Sequence, residues 1–320
     1  MQRQIETEAL VAGDDPVVMS SLERLKSVVL LGGSIRANSL VSAVGLSLLD
    51  LPVDVEQSIL DRWQDEVEAL RIAVGFDRLE IRLMINKAAA VPRAPGNGRP
   101  VAIRIEHEPH EYRGTGGLLR DVTEDYGDDD WILAASAAQV LLEPLPALVT
   151  ALMATGADVA LVSHRTGGAS GLMLIRCGCL RSISRIGFVD MKEQALPLIA
   201  REQAVRVVHF DEPSGVPVGT LAEYICALRA DRLRHGRGDR PVMRPVEEWQ
   251  AVFALVEDTT SVDSTARIHD SVVLCGGRVH KGAVIVRSVV CSGGVVAPGQ
   301  TVVDAVIGSR LGKGDAERKR

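Results

Sequence analysis

The chain has 320 residues, 46% of them hydrophobic and 24% charged, which is enough for two cores and too many for one small domain. Aromatics are only 3%, so Val, Leu, Ile and Ala must build those cores, and a net charge of -6 argues against a dedicated nucleic-acid binder. Five cysteines without a CxxC pair argue against a disulfide framework or a zinc site, and no apolar run reaches the roughly 18 residues of a membrane span.

The opening residues, MQRQIETEALVAGDDP, lack the apolar core of a signal peptide, so a reduced, cytoplasmic setting is expected. Residues 1–25 read as a polar tail. Ser27-Val-Val-Leu-Leu31 is a buried strand entering a glycine turn at Gly32 and Gly33. Ile59, Leu60, Trp63, Val67 and Leu70 recur at helical spacing over 56–73. Ala73-Val74, Ile81 to Ile85 and Val101 to Ile105 read as strands. Gly114-Thr-Gly-Gly117 precedes a helix starting near Leu118. Trp131 to Ala135 is another strand, Leu145 to Met153 a helix with Pro146 in its first turn, and Asp158 to Val162 the next strand.

Strands alternating with helices from 27 to about 230 predict an α/β domain, with a mostly parallel sheet flanked by helices on both faces. Ligands bind beyond the carboxyl ends of the strands in such sheets, so the two glycine turns are expected to meet there. Beyond Val256 the composition changes. Ile268, Leu274, Val279, Ile285, Val290, Val296 and Val302 recur every five or six residues with glycines between them, which predicts a short parallel β-helix of hexapeptide type. The expected division is a tail at 1–25, an α/β domain at 26–235, a connection at 236–262 with Gly236 to Pro241 exposed, a β-helix at 263–310 and a charged tail at 311–320.

The order of these pieces resembles the sugar-1-phosphate nucleotidyltransferases (nucleotide-sugar pyrophosphorylases), especially the mannose-1-phosphate guanylyltransferase-like members with a C-terminal left-handed β-helix. Val28-Val-Leu-Leu-Gly-Gly33 is similar to the family's first strand and glycine turn. Leu48-Leu-Asp-Leu-Pro52 followed by Ile59-Leu-Asp-Arg-Trp63 is similar to the approach to its second helix. Gly114-Thr-Gly-Gly-Leu-Leu119 is similar to its base-proximal loop, and Asp190-Met-Lys-Glu-Gln194 with Leu196-Pro197 to a late helical segment. Gly219-Thr220 with Glu223 and Tyr224 is similar to the turn before its last large helix.

The resemblance implies attack of a sugar phosphate on the α-phosphate of a nucleoside triphosphate, assisted by a loop arginine, a lysine and Mg²⁺ held by two aspartates. It implies nucleotide binding by Gly32, Gly33, Ser34, Arg36, Gly114, Thr115, Gly116 and Gly117, with Gly219, Thr220, His164 and Arg165 near the sugar or phosphate. Most of the charged positions depart from the pattern. Arg36 alone stands in for a catalytic cation, and Leu46 occupies the lysine position. Ser136-Ala-Ala-Gln-Val-Leu-Leu142 has no carboxylate where the first metal aspartate belongs, and Pro217 and Val218 occupy the place of the second. Asp128, Asp129 and Asp130 precede their strand, about 15 Å from its far end.

The expected function is therefore a homologue without metal or catalytic turnover, binding nucleotide, nucleotide sugar or sugar phosphate in a regulatory or scaffolding role. The alternative is an active pyrophosphorylase with relocated ligands, which would need Mg²⁺. A homo-oligomer, or a complex with a related transferase subunit, is expected through apolar residues Val302, Val303, Val306 and Ile307. Single residues also have plainer readings: Thr220 as a helix cap, Lys192 and Glu193 as a solvated helix face, His269 and His280 as exposed turns, and Cys177 and Cys179 as buried thiols.

Overall fold

The computed structural model describes residues 23–32, 39–54, 57–93, 100–108, 110, 112–164, 169–234 and 253–308. Strand β1 (Leu25–Leu31) is followed by helices α1 (Ser39–Val44) and α2 (Ile59–Val74), then β2 (Glu80–Ile85) and β3 (Ala102–His107). Helix α3 (Gly114–Val122), strands β4 (Trp131–Ser136) and β5 (Gln139–Leu141), and helix α4 (Leu145–Met153) come next. Strands β6 (Val159–His164) and β7 (Ala169–Arg176) lead to a short π turn at Met191–Ala195 and helix α5 (Leu196–Ile199). Strands β8 (Val205–Phe210) and β9 (Gly215–Pro217) and helix α6 (Leu221–Arg234) complete the first part.

Seven of these strands form one sheet in the order β3-β2-β1-β4-β7-β6-β8. All pairings are parallel except those of β7, which runs antiparallel to β4 and β6. Alternation along β1 sends Val28 and Leu30 to one face and Val29 to the other. The first face packs on α2, α4 and α6, and the second on α3 and the chain from Cys177 to Ile199. The mostly parallel sheet between two helical layers is as expected.

Local chemistry sets the helix ends. Ser58 and Asp61 form a reciprocal capping box at the start of α2, and Gly75 closes the helix at φ 79°. Ala73 and Val74, expected as a strand, are the last turn of α2. Val74 packs on the core from there, so its apolarity follows the helical period rather than a strand's. Thr220 and Glu223 form the same reciprocal cap on α6. Two buried bonds lock α6 onto the first part of the chain: Tyr224 donates its hydroxyl to Pro52 O at 2.6 Å, and Arg62 meets Asp231 at 3.1 Å.

From Ala254 the chain forms three stacks of short parallel strands, the arrangement of a β-helix. One stack contains β10 (Ala254–Val256), β13 (Ser271–Val273), β16 (Val289–Val290) and β19 (Val306–Ile307). The second contains β11 (Ser261–Val262), β14 (Arg278–Val279) and β17 (Val295–Val296). The third contains β12 (Arg267–His269), β15 (Val284–Val286) and β18 (Thr301–Val303). Stacked partners such as Ser271 and Ser288 are 17 residues apart, so the coil falls one residue short of three hexapeptides. The missing residue lies at the corner before the first stack, where Asp270, Arg287 and Asp304 take positive φ. Ser271 Oγ there accepts the N–H of Ser288, and Ser288 Oγ that of Ala305, which satisfies donors inside the turn.

Two further differences follow. The stacking begins at Ala254, inside the segment expected as a connection, because β10 pairs in register with β13. Leu274 does not point into the β-helix; Val273 does, with Val279, Ile285, Val290, Val296 and Val302. Leu274 instead joins Leu255, Val272, Val289 and Cys291 in the core of the α/β part, with Val306 packed against it. Adjacent residues on a strand face opposite ways, so one face of the coil fills the β-helix and the other docks. Arg229 of α6 pairs with Asp270, and Arg232 lies 5.1 Å from the Phe253 ring centroid, which ties α6 to the first coil.

Candidate functional site

The sheet's carboxyl-end edge carries a cleft of about 380 Å³, lined by Leu31, Gly32, Thr115, Ser136, Ala138, Gly171, Met173, Asp190, Met191 and Lys192. Strand β1 supplies Leu31 and Gly32, β4 ends on Ser136, and the antiparallel β7 begins there with Gly171 and Met173. Gly171 is needed in this wall: its φ is +74°, and a Cβ would lie 3.2 Å from the Ser136 Cβ. Gly32 and Thr115 thus share one cleft, while Gly114, Gly116 and Gly117 are not among its lining residues. Gly33, Ser34, Arg36 and Arg165 lie outside the described residues.

The glycine run is the first turn of α3 rather than a loop before it. Gly116 and Gly117 donate their N–H groups to Val189 O at 2.9 and 3.3 Å, and Val189 N donates to Arg113 O at 2.9 Å. A Cβ on Gly114 would lie 2.5 Å from Val189 O, and one on Gly116 3.1 Å from it. These glycines let the Val189 segment lie against the helix start. Arg113, buried, completes the joint by binding Asp121 at 2.7 and 2.9 Å, Gly187 O at 2.6 Å and Ser184 O at 3.1 Å. Thr115 is the member of the run that lines the cleft, and its Oγ1 accepts the N–H of Met191 at 3.0 Å.

That joint positions Asp190, Met191 and Lys192. Asp190 Oδ1 accepts the N–H groups of Lys192 and Glu193 at 2.8 and 2.9 Å, and Gln194 Oε1 accepts the N–H of Asp190 at 2.7 Å. Lys192 is exposed on a helical turn, as read from sequence, and also lines the cleft as a cation. No local periodicity marks this place in the lining, because the segment precedes a four-residue helix and is held through Val189.

The remaining candidates do other work. Thr220 caps α6, and Gly219, like Thr220, lies outside the cleft lining. His164 ends β6, and its Nε2 accepts the N–H of Ser214 at 3.1 Å and lies 3.0 Å from its hydroxyl. Accepting at Nε2 places the ring proton on Nδ1, and burial holds the imidazole below its usual range. His164 is therefore a neutral clasp on Ser214, whose carbonyl in turn accepts Leu142 N and Glu143 N at 2.9 and 3.1 Å. Cys177 and Cys179 are buried, and burial pushes the Cys177 thiol up to about 12.

The donor set does not fit a pair of catalytic Mg²⁺ ligands. Ser136 stands at the end of β4, and buried Val218 donates its N–H to Ala138 O at 3.0 Å beside the cleft. Asp128, Asp129 and Asp130 sit at the opposite end of β4 and pair with Arg181, Arg24 and Lys26 at 3.1, 3.2 and 3.5 Å. Asp190 is the carboxylate among the lining residues, and no group of three His, Cys, Asp or Glu suited to a metal occurs among the described residues. No helix among them is long and apolar enough to cross a membrane.

No family profile matches the chain, and no curated protein matches it. Among solved structures, the crystal structure of HddC from Yersinia pseudotuberculosis is similar over 64% of this chain and 98% of its own, with 14% identity and a TM-score of 0.46.

Proposed function

We propose that this chain is a nucleotidyltransferase-like protein that binds a nucleotide, a nucleotide sugar or a sugar phosphate at the cleft and does not carry out the metal-dependent transfer. The observation that carries this reading is the cleft's composition. Gly32 and Thr115 both line the cleft at the carboxyl end of the sheet, while neither the segment from Ser136 to Leu142 nor Pro217 and Val218 supplies a carboxylate where the resemblance places metal aspartates. A regulatory or scaffolding role, in a homo-oligomer or beside a related transferase subunit, goes with that loss.

Calorimetry with nucleoside triphosphates, nucleotide sugars and sugar 1-phosphates, together with a pyrophosphate-release assay on the same preparation, tests it. Binding without pyrophosphate release is the expected result. Release of pyrophosphate would instead establish an active pyrophosphorylase with relocated ligands. Absence of binding at millimolar concentration would overturn the reading.

A further inference from the structure

We infer that the cleft takes the phosphate of its ligand on Lys192, without a divalent cation. This rests on the ligand-binding reading above and names its chemistry.

A divalent cation bound in a protein needs several oxygen ligands at about 2.0–2.6 Å. Asp190 has one carboxylate oxygen committed to two backbone N–H groups, and the other lining oxygens belong to Ser136, Thr115 and the backbone. The chain segments 33–38 and 165–168, which follow β1 and β6, contain no Asp or Glu. Among the described residues, the metal chemistry implied by the resemblance thus has no anionic cage here.

Lys192 supplies a positive charge in its place. Among the described residues no carboxylate lies within ion-pair distance of its ammonium. Arg24, Lys26, Arg176 and Arg181 all have such partners at the other end of the strands. Its backbone is fixed by its own N–H to Asp190 and by the preceding Met191 N–H to Thr115. Leu31, Met173 and Met191 are the apolar part of the cleft lining, and Lys192, exposed, can meet a phosphate there through a charge-assisted contact. The committed Asp190 oxygen faces two N–H dipoles, which offset part of its repulsion toward an anion.

The test is calorimetry on the full chain with GMP and AMP in one arm, mannose 1-phosphate in another, and guanosine as the phosphate-free control. Each titration is run in EDTA and again in magnesium. For whichever phosphate ligand binds, the two conditions should agree within about two-fold, and Lys192→Met should weaken binding about 10- to 100-fold. Lys192→Arg should retain most of the affinity, and Lys281→Met, on the β-helix surface, should leave it unchanged. Binding that requires magnesium, or that survives Lys192→Met, overturns the inference and leaves the ligand-binding reading standing. A wild-type chain that binds none of these phosphates overturns the inference, and the triphosphate and nucleotide-sugar titrations above decide the ligand-binding reading separately.

Discussion

The backbone N–H of Gly116 donates to the carbonyl oxygen of Val189 over 2.9 Å, so the glycine run at the start of α3 commits donors to a neighbouring chain segment instead of the cleft. Glycine is required there for packing. Gly114→Ala must force a Cβ to 2.5 Å from Val189 O at φ +70°, whereas Gly116→Ala meets the same atom at 3.1 Å. Urea denaturation should show Gly114→Ala destabilising by about 2–4 kcal/mol and Gly116→Ala by about 1–2 kcal/mol. Equal and negligible effects would mean that the Val189 segment yields freely.

Stability should depend on His164 below neutral pH. Burial holds its folded value below the ordinary 6.5, so the unfolded chain takes up the proton first as pH falls. The stability contributed by the neutral clasp on Ser214 is complete above about pH 6.5 and is lost as pH drops from there through the folded value. Denaturation midpoints between pH 5 and 8 should fall more steeply for the wild type than for His164→Gln. Parallel profiles would remove the clasp from the account.

Two valines three residues apart should behave differently. Val306→Asp places a charge against the core shared by both parts of the chain and should cost about 2 kcal/mol or more, with faster amide exchange in α1, which packs on β19. Val303 is 47% exposed, so Val303→Asp should leave stability within about 0.5 kcal/mol. If the last coil mediates self-association, Val303→Asp should lower the mass seen by light scattering. A wild type that stays monomeric at high concentration refutes the association.

Arg229→Ala takes the guanidinium from Asp270, which still accepts the Phe253 N–H at 3.3 Å. The arginine is partly exposed, so the loss should be about 1–2 kcal/mol rather than that of a fully buried pair. A double-mutant cycle with Asp270→Asn should return a favourable coupling energy. Additive effects would show that the pair contributes nothing to docking.

Much of the architecture was legible because it depends on periodicity. Leu145 to Met153 shows helical apolar spacing and is a helix with those bounds, and the alternation of strand and helix gave the mostly parallel sheet. Errors arose where two patterns share residues. Val74 continues a helical stripe and also resembles strand material, and Val273 and Leu274 are both apolar because each faces a different core. At the site, the place of Gly32 was legible from the strand before it, but the packing role of Gly114 to Gly117 and the place of Lys192 were not. Its place follows from a carbonyl at Val189 meeting two amides more than seventy residues earlier, and no local spacing encodes that.

The row Leu255, Val272, Val289 and Val306 has a consequence for how the protein is made. These residues share a core with Val28 and Leu30 of β1, yet they are synthesised long after it. A nascent chain that ends before Ala254 carries the sheet and its helices without the row that completes their core, leaving apolar side chains of the kind that chaperones and proteases recognise. Translation must pass Val306 before that core is complete, so termination ahead of Ala254 should yield a product cleared by quality control rather than a working α/β fragment.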